Sequence, residues 1–225
     1  MTKKAGNFDV EAKKPQGYYD NPRVEMLDYI PENCTKSVEF GCGAGDFSSL
    51  LKNERKMETW AVEIHKESAQ KAALKLDHVI NKDAMEAIQD LPDNYFDCAI
   101  FFDVLEHLVD PYQLLRDIKL KLKPEGVVIC SIPNIRYYRA FKKYVLKGDW
   151  EYGDHGIMDK THLRFFTHKS ILKTFDELDY NVVRCDGLHP TSSKTWVLLN
   201  ILLLNCLWDV RYKHFVVIAD KQSKG

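Results

Sequence analysis

The chain has 225 residues, with 32 Lys and Arg against 33 Asp and Glu, a formal net charge of −1 and 45% hydrophobic residues. That length can bury a full core, and the balanced charge excludes a bulk electrostatic attraction to nucleic acid. Cys34, Cys42, Cys98, Cys130, Cys185 and Cys206 form no CxxC pair, which excludes a zinc site built from cysteines and points to a reducing, cytoplasmic setting.

The opening "MTKKAGNFDVEAKK" lacks the apolar run of a leader, and residues 1–35 read as an N-terminal cap or lid segment. From there short apolar runs alternate with helical patterns. "SVEF" reads as a strand and "DFSSLLKN" as a helix. "ETWAVEI" and "KESAQKAALKL" repeat the pair, as do "HVIN" and "AMEAIQD". "FDCAIFFDV" is a strongly apolar strand. "PYQLLRDIKLKL" is a helix with Pro111 in its first turn, and "GVVICSI" is another buried strand. Continuous apolar strands separated by helices predict an α/β fold, a parallel sheet covered on both faces.

After Pro133 the rhythm changes. "NIRYYRAFKKYVLKG" reads as a helix with aromatic and basic faces. "DWEYGDHGIMDKTHLRFF" has no clear period and reads as a long loop or a partly helical insert. "THKSILKTFDEL" is a helix with a Thr cap. "NVVRC" and "HFVVIAD" read as strands flanking "WVLLNILLLNCLW". That 13-residue run, Trp196 to Trp208, is shorter than the roughly 20 residues needed to span a bilayer. It is either a buried crossover helix or an apolar ledge for a lipid-linked glycan or a membrane surface, with Arg211 and Lys213 near anionic headgroups.

The first strand ends in Glu39 and is followed by Gly41, Gly43 and Gly45. The third glycine comes one residue early for the GxGxxG dinucleotide fingerprint, and no GK[ST] of a P-loop is present. Glycines there let the backbone approach a ligand closely. Glu63 ends the second strand, where a carboxylate accepts both hydroxyls of a ribose. Asp83 ends the third strand, placed for an adenine amino group, with Ala84 beside it.

Together "VEFGCGAG", "AVE", "NKDA" and "FFDVLEHL" resemble the class I S-adenosylmethionine-dependent methyltransferases, over about residues 18 to 131. The resemblance implies a Rossmann-like seven-stranded, mostly parallel sheet with helices on both faces and the last strand, "HFVVIAD", antiparallel. It implies S-adenosylmethionine as cofactor and S-adenosylhomocysteine as product. Glu39, Gly41, Gly43 and Gly45 match the loop that holds the methionine part, Glu63 the ribose site, and Asp83 and Ala84 the adenine site. Asp103 follows the fourth strand, where the family touches cofactor or substrate. Tyr19 and Arg23 match an aromatic and an arginine that cover the cofactor.

Methyl transfer to an alcohol needs a base, and histidine suits that task. His107 lies just beyond the fourth strand; His155 and His162 fall in "YGDHGIMDKTHLRFFT". This stretch resembles a signature of methyltransferases associated with surface-polysaccharide and lipopolysaccharide assembly, with Met158 in place of a Leu. Tyr152, Asp159, Thr161 and Arg164 are the corresponding substrate candidates. His155, Asp159 and His162 could share a helical face and so a magnesium ion, but only Asp154 and Asp159 offer carboxylates, and no metal is expected. The chain is thus expected to be one methyltransferase domain (1–225), with a cofactor core at 36–131, a substrate lid at 134–167 and closing elements at 168–220. The favoured acceptor is a hydroxyl of a sugar or glycan precursor. A phenolic or quinone-like hydroxyl, an amino sugar and a catalytically silent partner protein are the alternatives. "FDVLEH" stands where a nucleic-acid methyltransferase would carry an NPPY-type motif, so no nucleic-acid partner is expected.

Overall fold

The computed structural model describes residues 22–202 and 204–221. Tyr19 lies outside them. After a 3-10 turn (Val24–Tyr29) the elements are β1 (Lys36–Phe40), α1 (Asp46–Arg55), β2 (Glu58–Val62), α2 (Lys66–Ala73), β3 (His78–Ile80), α3 (Ala84–Ala87), β4 (Phe96–Phe102), α4 (Pro111–Lys121) and β5 (Leu122–Pro133). Then follow α5 (Tyr138–Phe141), α6 (His168–Glu177), β6 (Tyr180–Pro190), α7 (Lys194–Leu202) and β7 (Tyr212–Lys221). The seven strands form one sheet in the order β3-β2-β1-β4-β5-β7-β6. β7 runs antiparallel to both of its neighbours, β5 and β6, and the strand expected to be antiparallel is this one.

The pattern of β4 explains why the sheet is covered twice. Ala99 and Phe101 join the cluster that holds Val38, Phe40 and Leu114, whereas Cys98, Ile100 and Phe102 join the cluster that holds Phe47 and Leu51. Alternate side chains therefore enter opposite layers, the consequence of a two-residue strand period. Phe40 stacks on Phe101 with ring centroids 4.8 Å apart. The chain order reverses between β1 and β4, and ligands bind open α/β sheets at the carboxyl ends of strands at such a switch.

The helices begin where local chemistry starts them. Asp83 accepts from Met85 N at the start of α3, and Asp110 accepts from Gln113 N ahead of Pro111 in α4. Thr167 and Ser170 form a reciprocal capping box on α6.

Three expectations need correction. The helix read over "NIRYYRAFKKYVLKG" is only the four residues of α5 and a π-helical turn, Lys142–Leu146. Asn134 Oδ1 accepts from Arg136 N and its backbone bridges Phe166, so the chain is held extended before the helix can begin; Gly148, at φ +64°, follows its end. Residues 154–162 are turns, with a bridge between Gly153 and Asp159 and Gly156 at φ +84°. His155, Asp159 and His162 thus share no helix face. Finally, α7 is not buried: Leu198, Ile201 and Leu202 are 59%, 60% and 70% exposed. Only part of it is covered, with Trp196 near the rings of Tyr138 and Phe141.

Candidate functional site

The carboxyl ends of β1, β2 and β3 carry the first half of the site. Gly41 adopts φ +68°, and a Cβ there would lie 2.7 Å from Val104 Cγ2. Gly45 adopts φ +78° and a Cβ would press on Ala72 at 3.0 Å. The loop is therefore glycine for two reasons at once, left-handed backbone and close packing. Glu63 ties the loop to the end of β2. Its Oε2 accepts from Gly43 N at 2.8 Å and its Oε1 from His65 N at 2.8 Å. Burial pushes this carboxyl up, against the pull of those two amides. Each oxygen keeps a second lone pair for an incoming hydroxyl.

Glu39 lies in β1, one residue before the end of the strand. It is buried and accepts from Ser48 Oγ at 2.5 Å, in the first turn of α1. Burial pushes its carboxyl up to about 7. Asp83 caps α3 through Oδ1, and Ala84 is the first residue of that helix. Both stand beyond β3, beside the Glu63 end of the sheet.

Beyond β4 the structure joins two residues that were expected to touch ligand separately. Arg23 Nη2 donates to Asp103 Oδ2 at 2.5 Å, and its guanidinium lies 5.5 Å from the Phe102 ring. Ser131 Oγ donates to Asp103 Oδ1, and His214 Nε2 lies 3.7 Å from the same oxygen. Burial pushes the Asp103 carboxyl up, but Arg23 and His214 outweigh it and hold it below the usual range. His214 was not anticipated; nothing in "YKHFVV" marks it except a histidine within an apolar strand.

The second half of the site lies where the turn Leu105–His107 meets the segment 157–166. The Glu106 carbonyl accepts from Leu163 N and Arg164 N. Asp159 Oδ1 accepts from Thr161 Oγ1 at 2.7 Å and from Thr161 N at 2.9 Å. The Thr161 hydroxyl hydrogen is thereby committed, so its oxygen accepts from His107 Nδ1 at 3.1 Å, with the Thr161 carbonyl at 3.3 Å from the same nitrogen. The proton of neutral His107 is therefore on Nδ1, and Nε2 carries a lone pair. His162 Nδ1 donates to the Ile157 carbonyl at 3.0 Å, which fixes the same tautomer. The two rings meet edge to face, centroids 4.7 Å apart. Phe165, not singled out in the sequence, gathers Trp150, Tyr152 and His162 around it.

The geometry sorts the candidates. His107, Asp159, Thr161 and His162 form one hydrogen-bonded and packed group. Tyr152 reaches it through Phe165 and is half exposed. Arg164 spends its guanidinium on the carbonyls of Val109 and Leu163 and so pins the segment. His155 is exposed and outside the group. Glu106 was missed: its carboxylate is buried and has no hydrogen-bond partner among the described residues. The one hint was a charged residue within the apolar "DVLEHL".

His214 yields a pH test. Burial pushes it down to about 4, from an ordinary value of about 6.5. Between those values the unfolded chain binds a proton that the native chain does not, so stability is full above the unfolded pKa and falls as pH drops through the window. Denaturant unfolding of the wild type should lose up to about 3 kcal/mol more than His214→Gln between the upper and lower limits. Parallel pH profiles for the two proteins would contradict the assignment.

A methyltransferase-domain family model matches residues 9–184. A ubiquinone biosynthesis O-methyltransferase of Actinobacillus pleuropneumoniae serotype 5b is 25% identical over 193 residues, 76% of this chain and 79% of its own. One from Cereibacter sphaeroides (strain ATCC 17029) is 27% identical over 175 residues, 75% of this chain and 66% of its own. Among solved structures, a SAM-dependent methyltransferase from Archaeoglobus fulgidus matches with a TM-score of 0.65 at 21% identity, covering 88% of this chain and 91% of its own. A possible histamine N-methyltransferase from Thermotoga maritima matches with a TM-score of 0.62 at 18% identity, over 91% of this chain and 89% of its own. A family match over most of the chain, on a sheet ordered β3-β2-β1-β4-β5-β7-β6, decides the matter: the chain belongs to the methyltransferase-domain family and has the class I fold.

Proposed function

We propose that the chain moves a methyl group from S-adenosylmethionine to a hydroxyl oxygen of a small acceptor, and that His107 takes the acceptor's proton. The observation that carries this reading is the Asp159–Thr161–His107 chain, which leaves the His107 Nε2 lone pair at the carboxyl edge of the sheet. When bound, the cofactor supplies a methyl group on a sulfonium, and an oxygen nucleophile takes that methyl in line while the C–S electron pair returns to sulfur. The residues present fit this group. Glu63 retains an acceptor site on each oxygen for two ribose hydroxyls, and a side chain at Gly41 would meet Val104 in the cradle. Asp83 Oδ1 is used in capping α3, which leaves Oδ2 for an adenine amino group. The Arg23–Asp103 pair closes the β4 side.

The favoured acceptor is a sugar or glycan-precursor hydroxyl. An aliphatic alcohol keeps its proton far above neutral pH and needs a base, and Trp150, Tyr152 and Phe165 offer the flat faces on which a sugar ring packs. A second reading, a ring hydroxyl of a quinone-like molecule, is favoured by the similarity to ubiquinone biosynthesis O-methyltransferases. Either acceptor could carry an apolar tail, for which the exposed side of α7 offers a surface. No helix of the described residues is long and apolar enough to cross a membrane.

His107→Ala should slow transfer of labelled methyl by about 10²-fold or more on an aliphatic alcohol, with cofactor affinity nearly intact. A much smaller loss would favour a phenol, which ionises near pH 10 and needs less help. Full activity would remove the role from His107. Flotation with phosphatidylglycerol vesicles tests α7: the wild type should float and Leu198→Gln with Ile201→Gln should not. A wild type that stays down removes the apolar-tail element of the proposal.

A further inference from the structure

The apolar run "WVLLNILLLNCLW" carries two asparagines, Asn200 and Asn205, for which the proposed chemistry has no use. Their role is to build a cleft. Asn200 Oδ1 accepts from Leu207 N at 2.9 Å, and its Nδ2 donates to Asn205 Oδ1 at 3.1 Å. The Asn200 carbonyl accepts from Asn205 N at 2.8 Å. Leu204 and Asn205 stand in the left-handed region, at φ +51° and +61°, which asparagine tolerates and leucine resists. The chain is thereby turned back on the end of α7, and the 3-10 turn Trp208–Arg211 is held beside that helix. A cleft of about 200 Å³ lies between the two.

We propose that this cleft binds a small apolar monoanion, a carboxylate carried on a ring or a short alkyl chain. Its walls are Trp196, Val197 and Ile201 from α7, with Leu207 and Val210 from the returning chain. Such walls attract apolar groups without direction. An apolar cavity of about 150 Å³ holds a benzene ring, so the volume here suits a ligand of that size. The amides of Asn200 and Asn205 also line the cleft, but they are engaged with each other and with Leu207 N. The group that selects a ligand is therefore Arg211. It lines the cleft, its guanidinium carbon lies 5.2 Å from the Tyr212 ring, and no carboxylate among the described residues pairs with it. Asp209, two residues earlier, is buried and pairs instead with Arg136 at 3.3 Å. One guanidinium, with its planar fork of donors, matches one carboxylate.

The cleft shares no residue with the glycine rim or with the His107–Thr161 group. Its occupant is thus a second ligand, neither the cofactor nor the hydroxyl that is methylated. Trp196 is held in place by the rings of Tyr138 and Phe141 in α5, at 5.8 and 6.0 Å. Val197 and Ile201 are 41% and 60% exposed, so the mouth is open to solvent. Binding stands on these side chains alone and not on the methyltransferase reading.

The test is calorimetric titration of the full-length chain with sodium octanoate, kept below its micellar concentration, and with 1-octanol, alongside Arg211→Gln, Val197→Trp and Leu74→Gln. One equivalent of octanoate should bind the wild type, and 1-octanol should bind at least about tenfold more weakly, the contribution of a charge-assisted hydrogen bond. Arg211→Gln should bind octanoate and octanol alike, which also shows that the cleft is intact. Val197→Trp, which fills the cleft, should bind neither. Leu74→Gln, at an exposed position beyond α2, should match the wild type. No saturable octanoate binding by a folded wild type would overturn the site and leave the methyltransferase reading standing. Equal affinity of the wild type for octanoate and octanol, or octanoate binding unchanged in Arg211→Gln or in Val197→Trp, would remove Arg211 or the cleft from the binding and overturn it as well.

Discussion

A single buried carboxylate ties together the loops at the carboxyl ends of β1 and β2. Glu63 accepts one backbone amide from the glycine loop and one from the residues after β2. Two neighbouring parallel strands thereby release their chains into loops held at a fixed distance. Without that tie, Gly43 and its left-handed neighbours would have many backbone states available. With it, the loop is a rigid rim, and the Glu39–Ser48 bond secures it from α1. Rigidity of this kind suits a reaction whose main demand is alignment of three atoms.

The other half of the site is a seam between distant parts of the chain. The Glu106 carbonyl holds two amides of the segment that contains His162, and Asn134 holds the base of that segment. Asn134 is fully buried and donates to the Asp209 and Tyr212 carbonyls. The segment 134–167 is closed at its base by the Asn134–Phe166 bridge, so its histidines are presented by a folded unit instead of a loose loop. The hydrogen-bond directions through Asp159 and Thr161 follow from which atoms own a proton. They set the tautomer of His107 before any ligand arrives.

The sheet was legible because buried parallel strands are written as continuous apolar runs, and the glycine loop because left-handed backbone at Gly41 and Gly45 admits few other residues. His107, Asp159, Thr161 and His162 could be named singly. Their assembly could not, since 54 positions separate His107 from Thr161. The Arg23–Asp103 pair spans 80 positions and was invisible for the same reason. Glu106 escaped because a lone acid beside a histidine reads as solvated surface until burial is known. The exposed side of α7 shows the reverse failure: apolar composition predicted burial equally well, and only packing decided.

The central claim is that the glycine rim and Glu63 bind S-adenosylmethionine. It is tested most directly by calorimetric titration of the folded chain with S-adenosylmethionine and S-adenosylhomocysteine, with Glu63→Ala in parallel. Micromolar binding of both by the wild type, and marked weakening in a folded Glu63→Ala, is the result this account predicts. Unchanged affinity in Glu63→Ala, or no binding by a folded wild type, would contradict it.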